Sequence, residues 1–348
     1  MNILLTCAGR RSHFIEMFKE AVKDRGQVFA CDASADAPAL READEALVVP
    51  AVSDPGYVDA LVALCETHRI GLLIPALEPE LPLLAEQRAR FAAIGTVVLV
   101  SSPEIIATCY DKMASARFLA RHGLAVPRTF LTLAEARQAL ARAEIHFPLV
   151  VKPRWGVSSI ATEFPEDDEE LELAWRLARK QLGRSLLAEI SATDPERCVL
   201  IQEKLAGTEY GLDIVNDLDG RYVATFVKRK LRIRCGQTDR AVTVQDDRLE
   251  ALGRCIGRNL RHIGLLDCDV VVAGEECHAI DLNPRFGGGY SFSHLAGADI
   301  PAALLAWARG GEANPLWFQM EPGVTAARSD VLIVTSDSAL ALEAKGWA

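Results

Sequence analysis

The sequence predicts an α/β chain, with a doubly wound parallel sheet over the first hundred residues and a larger α+β part after it. Three observations carry this. From residue 3 to residue 100, short apolar runs alternate with amphipathic stretches of helical period, the pattern of parallel strands joined by crossover helices. Beyond Pro103 the pattern changes to hairpins, with turns at Asp219-Gly220 and at Ala273-Gly274-Glu275-Glu276. Half of the 348 residues are hydrophobic and a quarter are charged, enough for sizeable cores in two or three domains.

In chain order, Ile3–Thr6 reads as a strand, and Cys7–Ser12 leads into an amphipathic helix ending near Asp24. Gln27–Cys31 and Ala46–Val49 are strands, followed by a helix from Asp54 to His68 and a strand over Ile70–Pro75. One helix over 80–91 and a fifth strand over 96–100 complete the sheet. Pro103 sits in the first turn of the next helix, where its missing N–H costs nothing. Asp111-Lys112 opens another helix, closed by His122-Gly123, and the domain break falls near residue 100. A strand, a helix over 133–142 and the strand Pro148–Pro153 come next, with Lys152 near the strand's end. The acidic run Glu166–Glu170 complements the N-terminus of a helix. Thr208–Asn216 and Arg221–Lys228 form a hairpin, Asp246–His262 is an amphipathic helix stopped by Gly264, and two buried strands surround the turn at 273–276.

A net charge of −10 and an isoelectric point near 5.3 argue against a nucleic-acid surface. The nine cysteines are dispersed without a Cys-x-x-Cys pair, the usage of a cytoplasmic protein with reduced thiols and not of a disulfide or zinc framework. The apolar start is too short and lacks the basic flank of a secretory signal. No run reaches the roughly 18 apolar residues of a membrane span. Nothing in the composition opposes a homo-oligomer.

Several residues point to chemistry. Asp281 and Asn283 lie two apart on a strand and so face one way. Asp269, at the head of the partner strand's apolar run, can sit opposite them. Two carboxylates and an amide oxygen are hard ligands that suit Mg²⁺ or Mn²⁺. An Asp-x-Asn-Pro turn also serves purely structural ends. Arg285 follows as a cation, and Gly287–Gly289 lets backbone approach a ligand. Lys152 at the end of a buried strand calls for an anion or for a path to solvent; Gly156, Ser158 and Ser159 after it can donate to phosphate oxygens. The run Lys228–Gly236 holds five cations in seven residues, and strand alternation puts Lys230, Arg232 and Arg234 on one side. Only Gly9 stands where G-x-G-x-x-G would be needed, so the first sheet with Asp32 does not read as a dinucleotide site. There is no P-loop. Arg10 and Arg11, at a helix start, are either an anion-holding pair or a solvated face. Glu78 and Glu80, beyond a strand's C-terminal end, are candidates for an amine-bearing substrate.

Taken in order, Asp111-Lys112, Lys152 with its loop, Gln202–Tyr210, Asp269 and Asp281-x-Asn283-Pro284-Arg285 resemble the ATP-grasp superfamily. The first hundred residues are similar to the Rossmann-like domain that precedes such modules. The layout is most similar to single-module proteins resembling one half of the carbamoyl-phosphate synthase large subunit, as in the pyrrolysine-biosynthesis ligase family. Two departures stand out: Asp281 occupies the usual position of Glu, and the loop after Lys152 has fewer glycines. The resemblance implies a pre-ATP-grasp domain over 1–100, an ATP-grasp domain of two subdomains over 101–325, with a flap-bearing subdomain at 127–202, and a tail over 326–348. It implies that Lys112, Lys152, Gly156, Ser158 and Ser159 grip the ATP phosphates, and that Glu203, Lys204, Leu205 and Glu209 read adenine and ribose. It implies Mg²⁺ or Mn²⁺ on Asp269, Asp281 and Asn283, with Arg285, Lys230 and Arg232 serving the reacting groups. The activity implied is an ATP-dependent carboxylate–amine ligase acting through an acyl phosphate on small-molecule substrates. A bicarbonate-activating carboxylase of the same fold and a non-catalytic nucleotide-binding scaffold are the alternatives.

Overall fold

Five short strands, β1 (Asn2–Thr6), β2 (Val28–Asp32), β3 (Glu45–Val48), β4 (Ile70–Pro75) and β5 (Val97–Val98), form an all-parallel sheet in the order β3-β2-β1-β4-β5. The computed structural model describes residues 1–156, 160–234 and 236–335. Helices α1 (Ser12–Val22), α2 (Tyr57–Thr67), α3 (Glu80–Glu86) and α4 (Arg88–Ala93) cover the sheet. Successive residues of β1 serve opposite faces: Ile3 and Leu5 pack with Phe14 and Phe18 of α1, while Leu4 packs with Tyr57 and Leu61 of α2. The helix expected over 80–91 is broken at Gln87, which leaves helical geometry at φ −103°, ψ 7°. The fifth strand is shorter than expected, because only Val97 and Val98 pair with β4.

Glu80 corrects an expectation. It is fully buried and spends its carboxylate on the hydroxyls of Thr6 (2.6 Å) and Tyr57 (2.7 Å) and on the backbone N–H groups of Ala76 and Leu77 (both 2.9 Å). Burial pushes its pKa up, against those four hydrogen bonds. Glu80 therefore ties the ends of β1 and β4 to α3 and does not face a substrate. Glu80→Ala should cost on the order of 3 kcal/mol, because buried donors lose their acceptor. Denaturant unfolding of the variant checks this.

Helices α5 (Pro103–Tyr110) and α6 (Lys112–Arg121) lead to a three-stranded antiparallel sheet of β6 (Thr129–Phe130), β7 (Leu149–Pro153) and β8 (Val199–Glu203), ordered β6-β8-β7. Around it lie α7 (Leu133–Ala141), α8 (Asp168–Leu182) and α9 (Ala188–Ala192). The acidic run caps α8: Asp167 accepts from the Glu170 N–H, and Asp168 pairs with Arg137 at 2.8 Å.

The largest sheet is β13-β12-β9-β10-β11-β14, built from β9 (Thr208–Asn216), β10 (Tyr222–Arg234), β11 (Gln237–Val244), β12 (Gly264–Ala273), β13 (Glu276–Asn283) and β14 (Thr325–Ala327). Its strands pair antiparallel. Helix α10 (Asp247–Leu260) lies against it, and α11 (Tyr290–Leu295) and α12 (Ile300–Ala308) run back to the first domain. The basic run expected after the hairpin is instead the far end of β10, which turns back as β11.

The register of this sheet positions the site. Across the strands, Asp281, Asp269, Gly211 and Lys228 form one row, and Asn283, Asp267, Asp213 and Phe226 form the row two residues away. Residues so aligned share one face. The intervening residues, Leu282, Cys268, Leu212 and Val227, point the other way into a core with Leu249, Leu252 and Ile256 of α10. At the next row Leu265, Val215 and Ala224, together with Phe226 of the row before, join the core of the first domain with Phe14, Phe286 and Leu304. One face of one sheet is thus apolar where the first domain docks and polar beside it.

Candidate active site

The polar rows hold the sequence-predicted metal ligands in neighbouring register: Asp269 lies opposite Asp281, and Asp267 opposite Asn283. Each carboxylate of the first pair already faces a lysine. Lys112 Nζ, at the start of α6, is 2.5 Å from Asp281 Oδ1; Lys230 Nζ, on β10, is 2.6 Å from Asp269 Oδ1 and 3.7 Å from Glu209. Burial alone would raise the Asp281 pKa, but the Lys112 and Lys152 charges outweigh it and hold the carboxyl low. Burial opposes the Lys230 charge too, and Asp269 more than offsets it, raising the pKa.

Lys152 is different. Burial, and then the Lys112 charge, lower its pKa to about 8, with Asp281 and Asp269 opposing. Among the described residues no carboxylate lies at ion-pair distance from it. The strand that carries it is anchored at its end. Arg154 pairs with Asp111 (2.6 Å) and Asp194 (3.1 Å), its guanidinium covers the Trp155 ring at 4.5 Å, and the Lys112 N–H donates to the Arg154 carbonyl at 3.1 Å. Asp111 also accepts from the Met113 and Ala114 N–H groups as the N-cap of α6. One aspartate therefore fixes both lysines' backbones. Gly156 lines a small cavity with Lys112, Glu78, Tyr110 and Asn283. Ser158 and Ser159 lie outside the described residues.

Arg285 is largely enclosed between two carboxylates: Glu78, from the first domain, accepts from its Nε at 2.8 Å and from Nη2, and Asp267 accepts from Nη1 at 3.1 Å. Burial works against the guanidinium's charge, and Glu78 and Asp267 together overcome it. Asp267 is pushed up to about 6 by burial and by the Asp269 charge, with Arg285 pulling it down. The glycine triplet is explained by this packing: a Cβ on Gly287 would fall 2.1 Å from Asp267 Cγ, and one on Gly289 would fall 2.7 Å from Lys228 Cε. Beneath them Lys228 and Asp213, both fully buried, pair at 2.6 Å, with Ser293 Oγ donating to the same Asp213 oxygen at 2.5 Å.

The remaining predicted residues sort by position. Glu203 ends β8 opposite Leu149, three residues along the β7–β8 ladder from Lys152, a separation of about 10 Å. Lys204, just beyond, lies over the Phe164 ring at 4.9 Å, and half-buried Leu205 follows. Arg232 corrects an expectation. The register of β10 against β11 shifts between Lys230 and Arg232 and again at Ile233, so the simple alternation fails. Lys230 turns inward at 9% side-chain exposure, while Arg232 stays 69% exposed and both it and Arg234 reach Asp239. Sequence reasoning missed Asp267, Asp213 and the inward Lys228. The signal was there: Asp267 stands two residues before Asp269, as Asp281 stands two before Asn283.

The site fits a hard divalent cation, because lysine ammonium groups now occupy the cation side of both carboxylates. Among the described residues no group of three or more His, Cys, Asp or Glu is placed as a metal centre. The set has two carboxylates and an amide, which leaves coordination for a ligand's own oxygens.

Comparison with known proteins gives two family matches. Residues 3–99 match the PylC-like N-terminal domain, and residues 196–328 match the family described as ATP-grasp in the biosynthetic pathway with Ter operon. The chain is 28% identical over 223 residues to the carbamoyl phosphate synthase large chain of Rubrobacter xylanophilus, covering 61% of this chain and 20% of that one. It is 28% identical over 267 residues to the formate-dependent phosphoribosylglycinamide formyltransferase of Parasynechococcus marenigrum, covering 74% of this chain and 64% of that one. The chain thus spans a fifth of the first relative and just under two thirds of the second. In structure it is similar to a Campylobacter jejuni biotin carboxylase in complex with beta-gamma-ATP (TM-score 0.70, 18% identity, 92% of this chain and 73% of that one). It is likewise similar to an L-amino acid ligase from Bacillus licheniformis (TM-score 0.67, 19% identity, 87% and 74%). Among the described residues no helix is long and apolar enough to cross a membrane.

Proposed function

From an ATP-grasp fold set behind a PylC-like N-terminal domain, we propose that this chain is an ATP-dependent carboxylate–amine ligase. The observation that carries the reading is Lys152, a partly buried cation with no carboxylate at ion-pair distance among the described residues, set beside Lys112 and the paired Asp281 and Asp269. An ATP phosphate chain supplies the missing anion. Lys112 and Lys152 hold its oxygens, and Glu203, Lys204, Leu205 and Glu209 line the base and ribose end. Asp269, Asp281 and Asn283 would hold Mg²⁺, which supplies charge neutralisation for the phosphates.

The chemistry asks the protein for positioning and charge. A substrate carboxylate oxygen attacks the terminal phosphorus, the bond to the bridging oxygen breaks, and ADP leaves. An amine nitrogen then attacks the acyl carbon, phosphate leaves with its bonding pair, and the amine proton passes to phosphate or solvent. Arg285, held in place by Glu78 and Asp267, faces the transferred phosphoryl group and the oxyanion. Lys230 screens the carboxylates.

The test is an ADP-release screen of carboxylates crossed with amines, with Mg²⁺. Release that needs both partners supports the ligase. Release with bicarbonate alone assigns a carboxylase, and ATP binding without release in any arm assigns a scaffold. Lys152→Ala should weaken ATP binding at least about tenfold, the value of one charge-assisted contact; calorimetric titration reads it. Asp281→Asn should raise the Mg²⁺ needed for half-maximal activity, while Glu275→Gln on the neighbouring turn should leave it unchanged. Equal Mg²⁺ curves for the two variants would overturn the metal assignment.

A further inference from the structure

The three-stranded sheet and the largest sheet have separate cores. Leu149 and Val151 of β7 pack with Ile201 of β8 and Leu171 of α8. Cys109 of α5 and Phe118 and Leu119 of α6 pack instead with the largest sheet. The two lysines proposed to hold the ATP phosphates stand on opposite sides of this division, Lys152 on β7 and Lys112 at the start of α6. Each core fixes one of them, and neither core fixes the spacing between them.

One side chain crosses the division and bonds to both sides. Arg154, two residues beyond Lys152, donates from Nε (3.0 Å) and Nη2 (2.6 Å) to Asp111 Oδ2, 43 residues away at the head of α6. From Nη1 it donates to Asp194 Oδ2 at 3.1 Å, ahead of β8. Its main chain is engaged as well: its N–H donates to the Cys198 carbonyl at 2.9 Å, and its carbonyl accepts from the Lys112 N–H at 3.1 Å. The Arg154 and Asp111 side chains are only 17% and 16% exposed, so salt and water screen the pair weakly. All three nitrogens of the guanidinium already serve carboxylates of the chain, so Arg154 is not itself placed as a phosphate ligand.

Asp111 divides its carboxylate between two tasks. Oδ1 accepts from the Met113 and Ala114 N–H groups and caps α6, while Oδ2 is given to Arg154. A cap needs one oxygen, and asparagine serves it as well as aspartate. The cap therefore accounts for Oδ1 and leaves the charged bond from Oδ2 across the division to be explained. A contact group held in place before its ligand arrives gives more affinity than one that must be ordered on binding.

We infer that Arg154 and Asp111 are positioning residues for nucleotide binding: they act through Lys112 and Lys152, setting the spacing at which both ammonium groups meet one triphosphate chain. This rests on the nucleotide site proposed above and adds to it two residues that do not touch the ligand.

The test titrates a non-hydrolysable ATP analogue with Mg²⁺ into the full chain and reads affinity by calorimetry. Arg154→Gln and Asp111→Asn should each weaken binding about tenfold, the size of one charge-assisted contact. Asp111→Asn keeps the cap of α6 and covers the case of an arginine variant that does not fold. The two changes together should weaken binding no more than either alone, because they break one unit. In a Lys152→Ala background Arg154→Gln should cost no more than about threefold, since one of the two groups it positions is gone. Arg154→Lys keeps the charge and loses the planar fork, and its affinity should fall between those of Arg154→Gln and wild type. Arg137→Gln breaks a pair with Asp168 and Glu172 between α7 and α8 and should leave affinity unchanged, which separates positioning from a general loosening of that layer. Variants at 111 and 154 that bind as the wild type does would overturn the inference. So would a loss on Arg154→Gln that is as large in the Lys152→Ala background as without it. A wild type that does not bind the analogue would overturn the nucleotide site itself, and this inference with it.

Discussion

Arg285→Lys is expected to keep ATP affinity near the wild-type value and to lose about 10²–10³ in turnover, the range typical of a transition-state contact of 3–4 kcal/mol. The guanidinium is held by Glu78 from the first domain and Asp267 from the large sheet. A lysine keeps one charge between those acids but cannot satisfy both and present a further donor. Arg285→Ala is the harsher change. It leaves two buried carboxylates facing each other, and loss of one partner of a buried pair costs about 3–5 kcal/mol. Turnover in the ADP-release assay, ATP titration and denaturant unfolding separate the two effects. A lysine variant with unchanged turnover would leave Arg285 as a clamp between domains and nothing more.

The second large effect concerns Asp213. Its partner Lys228 is fully buried, hemmed in by Gly211 and Gly289, with the Asp213 carboxylate at 2.6 Å. Asp213→Ala strands that ammonium, and the expected loss is about 3–5 kcal/mol of stability. Replacing both members, as Asp213→Leu with Lys228→Met, removes the charge together with its counter-charge and should recover most of the loss. Chemical denaturation of the single and double variants forms the cycle. A double variant as unstable as the single one would show that the hydrogen bond from Ser293, and not the ion pair, holds the region.

Much of this was legible in the sequence. The alternation of strands and helices, the hairpin carrying Asp269 and Asp281, and Lys152 at a strand end all follow from period and position, because local patterns decide them. Three features were not legible. The Arg285–Glu78 pair joins residues 207 apart, and no local pattern encodes that meeting. The register shifts around Leu231 depend on how β11 pairs with β10, so the basic run looked like a uniform face when it is two. Glu80 looked like a ligand at the open end of the sheet, yet four donors from Thr6, Tyr57, Ala76 and Leu77 had already claimed it. Polar residues near a site were easy to find; which of them the fold itself consumes required the tertiary structure.

The two-faced central sheet also constrains how this chain can change length. In β12, Asp267 and Asp269 face the cleft while Leu266, Cys268 and Val270 face the α10 core. One residue inserted or deleted within that strand would exchange the faces from that point on, driving carboxylates into hydrocarbon and leucine into the cleft. A two-residue change restores the parity but slides Asp269 away from Asp281 by one row. Point substitution is therefore the open route for variation in β12 and β13, and length changes are confined to the turn at Gly274, which has nothing packed within 4 Å of where its side chain would be.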